Sequence, residues 1–275
     1  MKNLKKASVE IIAVLLAIVL YGIPFYAVVI NSFKSRTEAA EMNLDWPSSF
    51  YILENYTEVL TVLDGVLLRA FYNSIVITLL SVFGVVLVGS MAGFVLQRRT
   101  SRAAGIVTSL ILAGLMIPPA IVPTIWVLEG IGLFRTLSGM ILVMIALQIP
   151  FTTILYKSFM VSIPREIDES ATVDGCGGLR LFFSIIFPLL KPVTSTIIVL
   201  SSITIYNDFV HPLYFLPGAQ NVTVQLTLFN FLSRYGTDWN YLLANVVLVA
   251  LPPLVLFIFF NKKIVSGMTA GAIKG

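Results

Sequence analysis

Reactive side chains are sparse in this chain, and the densest group of them lies in residues 162–178. Arg165, Glu166, Asp168, Glu169 and Asp174 fall there, in the longest polar interruption of the second half. Their order predicts a short helix. Pro164 suits a first helical turn, where its missing N–H is no loss. The acids that follow favour the positive end of the helix dipole. Gly175 can close the helix in a left-handed cap. Ile163, Ile167, Ala171 and Asp174 recur at helical spacing and leave a narrow apolar face. A helix this short is not stable alone in water. The flanking segments do not obviously cover it, so it is expected to dock into a partner protein.

Other chemistry is scarce. The single cysteine, Cys176, excludes an intrachain disulfide and reads as a small residue in a glycine turn. The single histidine, His211, excludes a His-rich metal site and cannot alone furnish an intramembrane enzyme. No Gly-x4-Gly-Lys-Ser/Thr phosphate loop is present, so the chain is not expected to hydrolyse ATP. Polar residues in or near apolar runs are Asn73, Gln148, Asn207, Asp208 and Asn245. Such groups face other helices or a cavity. They either hydrogen-bond between helices or line a path for a polar solute. Tyr206 and Phe209 beside the Asn207-Asp208 pair offer aromatic faces to such a solute, or anchor the chain at the membrane interface.

The elements that must position these residues are membrane spans. Of 275 residues 57% are hydrophobic and 12% charged, against about 25% charged in a soluble domain. The mean hydropathy is +0.94. The small net charge of +4 gives no reason to expect nucleic acid. Apolar runs at residues 11–30, 71–96, 103–128, 136–156, 187–209 and 241–261 are each long enough to cross a bilayer. The fold class is therefore all-α, a polytopic membrane protein of six helices with the 162–178 helix outside the membrane. The first run is expected to be a retained helix, bent near Gly22 and Pro24, not a cleaved signal.

With the N-terminus inside, Lys2, Lys5, Lys6, Arg98, Arg99, Arg102, Lys157, Arg165, Arg180, Lys191, Lys262, Lys263 and Lys274 fall on the inner side. Lys34, Arg36, Arg69, Arg135 and Arg234 fall on the outer side. The positive-inside rule then puts both termini and the polar helix in the cytosol. Residues 1–70 form the first span and an extracytoplasmic loop. Residues 71–262 form a core of five spans with the polar loop at 161–185, and residues 263–275 a cytosolic tail. Pro118, Pro119, Pro123, Pro150, Pro252 and Pro253 interrupt the spans, which is tolerated where helices pack together or border water. Together they favour a translocation pathway over a plain anchor.

Glu169-Ser170-Ala171, Gly175, Ile185 and Pro188 follow the spacing Glu-Ala-Ala, three residues, Gly, nine residues, Ile, one residue, Leu, Pro, with Ser170 for the first Ala and Phe187 for the Leu. This resembles the EAA loop of binding-protein-dependent ABC importer permeases. Val173-Asp174-Gly175 resembles the carbohydrate branch. Glu54-Asn55-Tyr56-Thr57, Phe71-Tyr72-Asn73-Ser74, Ala92-Gly93-Phe94, Trp239, Ala244, Pro252-Pro253 and residues 267–275 are similar to the second permease of maltose-type sugar importers.

The resemblance covers residues 5–275. It implies a heterodimer with a paralogous permease, two ATP-binding cassette subunits that bind ATP and Mg, an extracytoplasmic solute-binding protein and a carbohydrate substrate. It implies that Glu169 meets a basic residue of the ATPase, and that the tail reaches the interface between the two ATPases. A permease of the same architecture for a polyamine, phosphate or phosphonate is the competing reading. The sugar itself is not expected to be legible, because the binding protein carries much of the selectivity.

Overall fold

The computed structural model describes the backbone of residues 2–218, 220–233 and 236–272, with side chains over 10–218, 220–232 and 237–260. The described residues fall into two compact units. One comprises residues 1–71 and 222–252, the other residues 72–221 and 253–275.

In the first unit, helix α1 (Lys2–Ala17) and helix α2 (Ile23–Asn31) are joined by a π turn at Ile18–Gly22. The Ile23 N–H reaches back to the Ile18 carbonyl, one residue further than in an α-helix. Pro24, which has no N–H for the Leu20 carbonyl, follows directly. The expected bend near Gly22 is thus a widened turn. None of the apolar window within Glu10–Asn31 is buried inside the chain.

The polar connection that follows is folded. Ser35 caps α3 (Arg36–Ala40) by accepting from the Glu38 N–H. Asn55 donates to the Ser32 and Lys34 carbonyls at 2.9 Å each, and Asn240 donates to Asn55 Oδ1 at 2.8 Å. These buried amides tie the loop to α4 (Ile52–Arg98) and to α14 (Trp239–Ala272). α4 is broken at Val62–Gly65, where Leu63, Asp64 and Gly65 take positive φ. Between α4 and α14 in this unit lie α13 (Val224–Thr227), a 3-10 turn and a two-residue hairpin, β1 (Leu232–Ser233) on β2 (Gly236–Thr237). α14 runs through Ala272. The last residues of the expected tail, 273–275, lie outside the described residues.

The second unit holds the rest of α4, then α5 (Arg102–Met116), α6 (Ile121–Gly130) and α7 (Leu137–Met160). It continues with α8 (Glu166–Val173), α9 (Gly178–Arg180), a second π turn (Leu181–Ile186), α10 (Phe187–Leu189), α11 (Lys191–Tyr206) and α12 (Val210–Phe215). α4 lies against α7 because its glycines leave room. A Cβ on Gly89 would lie 2.8 Å from Thr152 Oγ1, and one on Gly93 2.6 Å from Tyr156 Cβ. Small residues that let helix backbones approach are the usual means of association in lipid.

The helices long and apolar enough to cross a membrane are Glu10–Asn31, Ile52–Arg98, Leu137–Met160 and Trp239–Phe260. They match the first, second, fourth and sixth expected runs. The third and fifth differ from expectation. α5 and α6 meet at 119°, so the expected span over 103–128 is two short helices. The cause is Pro118-Pro119: a residue before proline is driven to extended geometry, and Ile117 sits at φ −86°, ψ 122°. The fifth run is also broken, Gly178–Leu189 turning by 78° into Lys191–Tyr206 ahead of Pro192.

Candidate functional site

α8 forms where the acids begin. Arg165 is its N-cap, so Pro164 stands just before the helix and not in its first turn. Glu166, Asp168 and Glu169 occupy the first turn, where the exposed N–H groups favour negative charge. At the other end Gly175 has φ +78°. Its N–H bonds the Thr172 carbonyl, and the Cys176 N–H bonds the Ala171 carbonyl at 2.9 Å. Those two bonds are a Schellman cap, and the half-buried Cys176 packs on the core, a contact that often accompanies that motif.

The helix has two faces. Ile163 and Ala171 are buried, and Ile167 packs beside them. Their neighbours are this chain's own Val85, Tyr156, Met160, Phe182 and Ile186. This corrects the expectation that Ile163, Ile167 and Ala171 present an apolar face to a partner. The reason is the π turn and α10, which bring Phe182 and Ile186 back beneath α8. Ile185 packs against the same core, while Pro188 is exposed. Glu166, Glu169, Ser170 and Val173, at helical spacing, form the opposite face and are exposed, with Asp174 and Gly175 at its end. Val173 is 87% exposed, an apolar side chain amid acids.

Asp168 is the exception among the acids. Its Oδ2 lies 2.6 Å from Arg98 Nε, and the Arg98 guanidinium also donates to Asp168 Oδ1 at 3.2 Å and to the Ile163 carbonyl at 3.1 Å. The two side chains are only 12% and 17% exposed. Arg165 in turn donates to the Gln97 carbonyl at 3.3 Å, near the C-terminus of α4. No local spacing signals this pairing, since seventy residues separate the partners.

Of the solute-path candidates, Tyr206, Asn207 and Asp208 sit together at the C-terminal end of α11. Asn207 is exposed there and its N–H closes the helix on the Ile203 carbonyl. Asp208 is held by His211, with Oδ2 2.6 Å from Nδ1, and also accepts the His211 N–H. Tyr206 is buried, its hydroxyl enclosed with no hydrogen-bond partner among the described residues. Asn73 is buried and donates to the Gln220 carbonyl at 3.4 Å. Asn245 belongs to the other unit, where it is fully enclosed and donates to Thr227 Oγ1 at 3.1 Å. Asn73 and Asn245 thus hold structure together in this conformation and do not line an open path. A surface groove of 550 Å³ lies elsewhere, between α4 and α5, lined by apolar residues such as Met91, Val95 and Val107 with Arg99 at its edge. The described residues contain no group of His, Cys, Asp or Glu able to hold a metal ion.

Known proteins resemble this chain in sequence and fold. The description "binding-protein-dependent transport system inner membrane component" matches residues 85–270. The chain is 32% identical over 252 residues to a probable starch degradation products transport system permease protein of Thermoanaerobacterium thermosulfurigenes, covering 91% of each chain. It is 31% identical over 280 residues to the melibiose, raffinose and stachyose import permease protein of Bacillus subtilis, covering both chains fully. In fold it is similar to a chain of a bacterial ABC transporter involved in the import of the acidic polysaccharide alginate, with TM-score 0.81, 17% identity, and coverage of 95% and 96%. On the strength of the family match and of these full-length relatives, the protein belongs to the binding-protein-dependent transport system inner membrane components, a family of multi-pass membrane proteins that serve transport and not catalysis.

Proposed function

We propose that this chain is the permease subunit of an ATP-driven oligosaccharide importer, and that α8 is its coupling helix. The observation that carries the coupling role is the two-faced packing of α8. Its underside is locked into the chain's own core, while Glu169, Ser170, Val173 and Asp174 stand clear. The oligosaccharide assignment is supported by relatives named for starch degradation products, for melibiose, raffinose and stachyose, and for arabinooligosaccharides.

In this reading each bent helix pair counts as one span, giving six, and the basic residues put both termini and α8 in the cytosol. Glu169 meets a basic residue of an ATP-binding cassette subunit. A charge-assisted contact of this kind is worth about 1.5–3 kcal/mol where water is excluded. Gly175 lets the chain turn back toward the membrane at once. Two such ATPases hold ATP and Mg, a paralogous permease forms the other half of the path, and an extracytoplasmic binding protein delivers the sugar. Closure of the ATPases moves α8, and the packed spans follow. Of the solute-path candidates at the end of α11, the exposed Asn207 is the one placed to meet sugar hydroxyls, with Tyr206 and Asp208 packed behind it.

Glu169→Lys and Gly175→Asp test the assignment. Each is expected to abolish substrate-stimulated ATP hydrolysis by the full complex or to release the ATPase, with the permease still inserted. Wild-type stimulation and full ATPase retention in both variants would refute it.

A further inference from the structure

Resting on the coupling role proposed for α8, we propose that Arg98 and Asp168 form a clasp that transmits the motion of α8 to spanning helix α4. The clasp is doubled. Arg98, the last residue of α4, binds the Asp168 carboxylate in the first turn of α8 and the Ile163 carbonyl just ahead of it. Arg165, the N-cap of α8, reciprocates by donating to the Gln97 carbonyl. The last carbonyls of a helix have no partner within it, so this contact also closes the end of α4. Each helix end therefore holds the other's backbone through a guanidinium, and one carboxylate completes the set.

Geometry distinguishes this contact from an ordinary surface pair. The Arg98 and Asp168 side chains are almost fully enclosed, so water and salt screen them little. Arginine's planar fork fixes direction as well as distance. Apolar packing beneath α8 resists separation but permits sliding, since dispersion contacts are not directional. The hydrogen bonds from the Arg98 guanidinium to Asp168 Oδ1 and to the Ile163 carbonyl are directional and tie the first turn of α8 to the end of α4. A push on α8 then reaches α4 without being lost in slip. Among the acids of α8, Asp168 faces inward for this purpose and Glu169 faces outward. Arg98 and Asp168 are positioning residues.

The test uses the full complex, purified through a tag on this chain and reconstituted in proteoliposomes with its binding protein. Uptake of radiolabelled raffinose, maltotriose and arabinotriose is measured together with ATP hydrolysis and with ATPase retained per permease. Arg98→Gln and Asp168→Asn are expected to retain the ATPase and to hydrolyse ATP, but to raise the ATP consumed per sugar carried by about tenfold, within the usual range of coupling between sites. Arg98→Lys keeps the charge but loses the planar fork, and is expected to fall between the wild-type ratio and that of Arg98→Gln. An unchanged ratio in the Gln and Asn variants would overturn the clasp. Loss of the ATPase from those variants would also overturn it, since the pair would then serve docking. Absence of uptake of all three sugars by the wild-type complex would instead overturn the oligosaccharide assignment.

Discussion

Ala171 and Val173 stand two residues apart on α8 and meet opposite surroundings. Ala171 is enclosed among Tyr156, Phe182 and Ile186, whereas Val173 projects from the other face. Their substitutions should separate accordingly. Ala171→Asp places a carboxylate in an apolar pocket and should lower the stability of the purified permease by several kcal/mol. Val173→Asp should leave the thermal transition within about 0.5 kcal/mol of wild type and yet weaken retention of the ATPase. Detergent-solubilised melting and co-purification read the two effects. Equal melting losses in both variants would contradict the assignment of faces. The contrast also shows what one-dimensional spacing conveys. It groups Ile163, Ile167 and Ala171 on one stripe correctly, but it does not say whether the stripe turns inward or outward. That depends on Phe182 and Ile186, which arrive by a turn whose geometry the spacing does not encode.

At the scale of elements, α4 and α7 are held by close approach. Gly93→Leu would drive a side chain into Tyr156 and the Lys157 backbone, because even a Cβ there lies 2.6 Å from Tyr156 Cβ and 3.0 Å from Lys157 N. Overpacking of this sort costs about 1–3 kcal/mol where neighbours can shift. The expected result is a reduced yield of folded permease by size-exclusion chromatography. Gly105→Leu, with nothing within 4 Å of an added Cβ, should be tolerated. The apolar runs located the four helices long and apolar enough to span a membrane, and the helix signals located α8 and its glycine cap. The breaks were harder to read. Pro118-Pro119 was visible as an interruption, but a proline pair is compatible with a kink in one helix or with a 119° turn between two. Neighbouring helices choose between them. The Arg98–Asp168 and Asp208–His211 pairs were missed for different reasons. The first spans seventy residues, and the second is a three-residue contact hidden by the reading of Asp208 as solute-facing.

At the scale of the molecule, the proposed function makes this chain one half of a device. It has an exposed acidic face on α8 and a first apolar helix whose window is not buried within the chain. Reconstituted alone in liposomes, it should show neither solute uptake nor ATP hydrolysis. Measurable uptake by the purified single chain would mean that a complete path exists within it.

The two π turns bear on how such chains change length. An extra residue in an α-helix rotates everything beyond it by about 100°, which would swing a packed face out of place. The turns at Ile18–Gly22 and Leu181–Ile186 each absorb one residue locally, and each precedes a proline where the hydrogen-bond ladder is already open. They act as expansion joints. Between α8 and α11, the joint at Leu181–Ile186 lets the chain gain or lose a residue while Ala171 on one side and Ile197 on the other keep their aim at the same core.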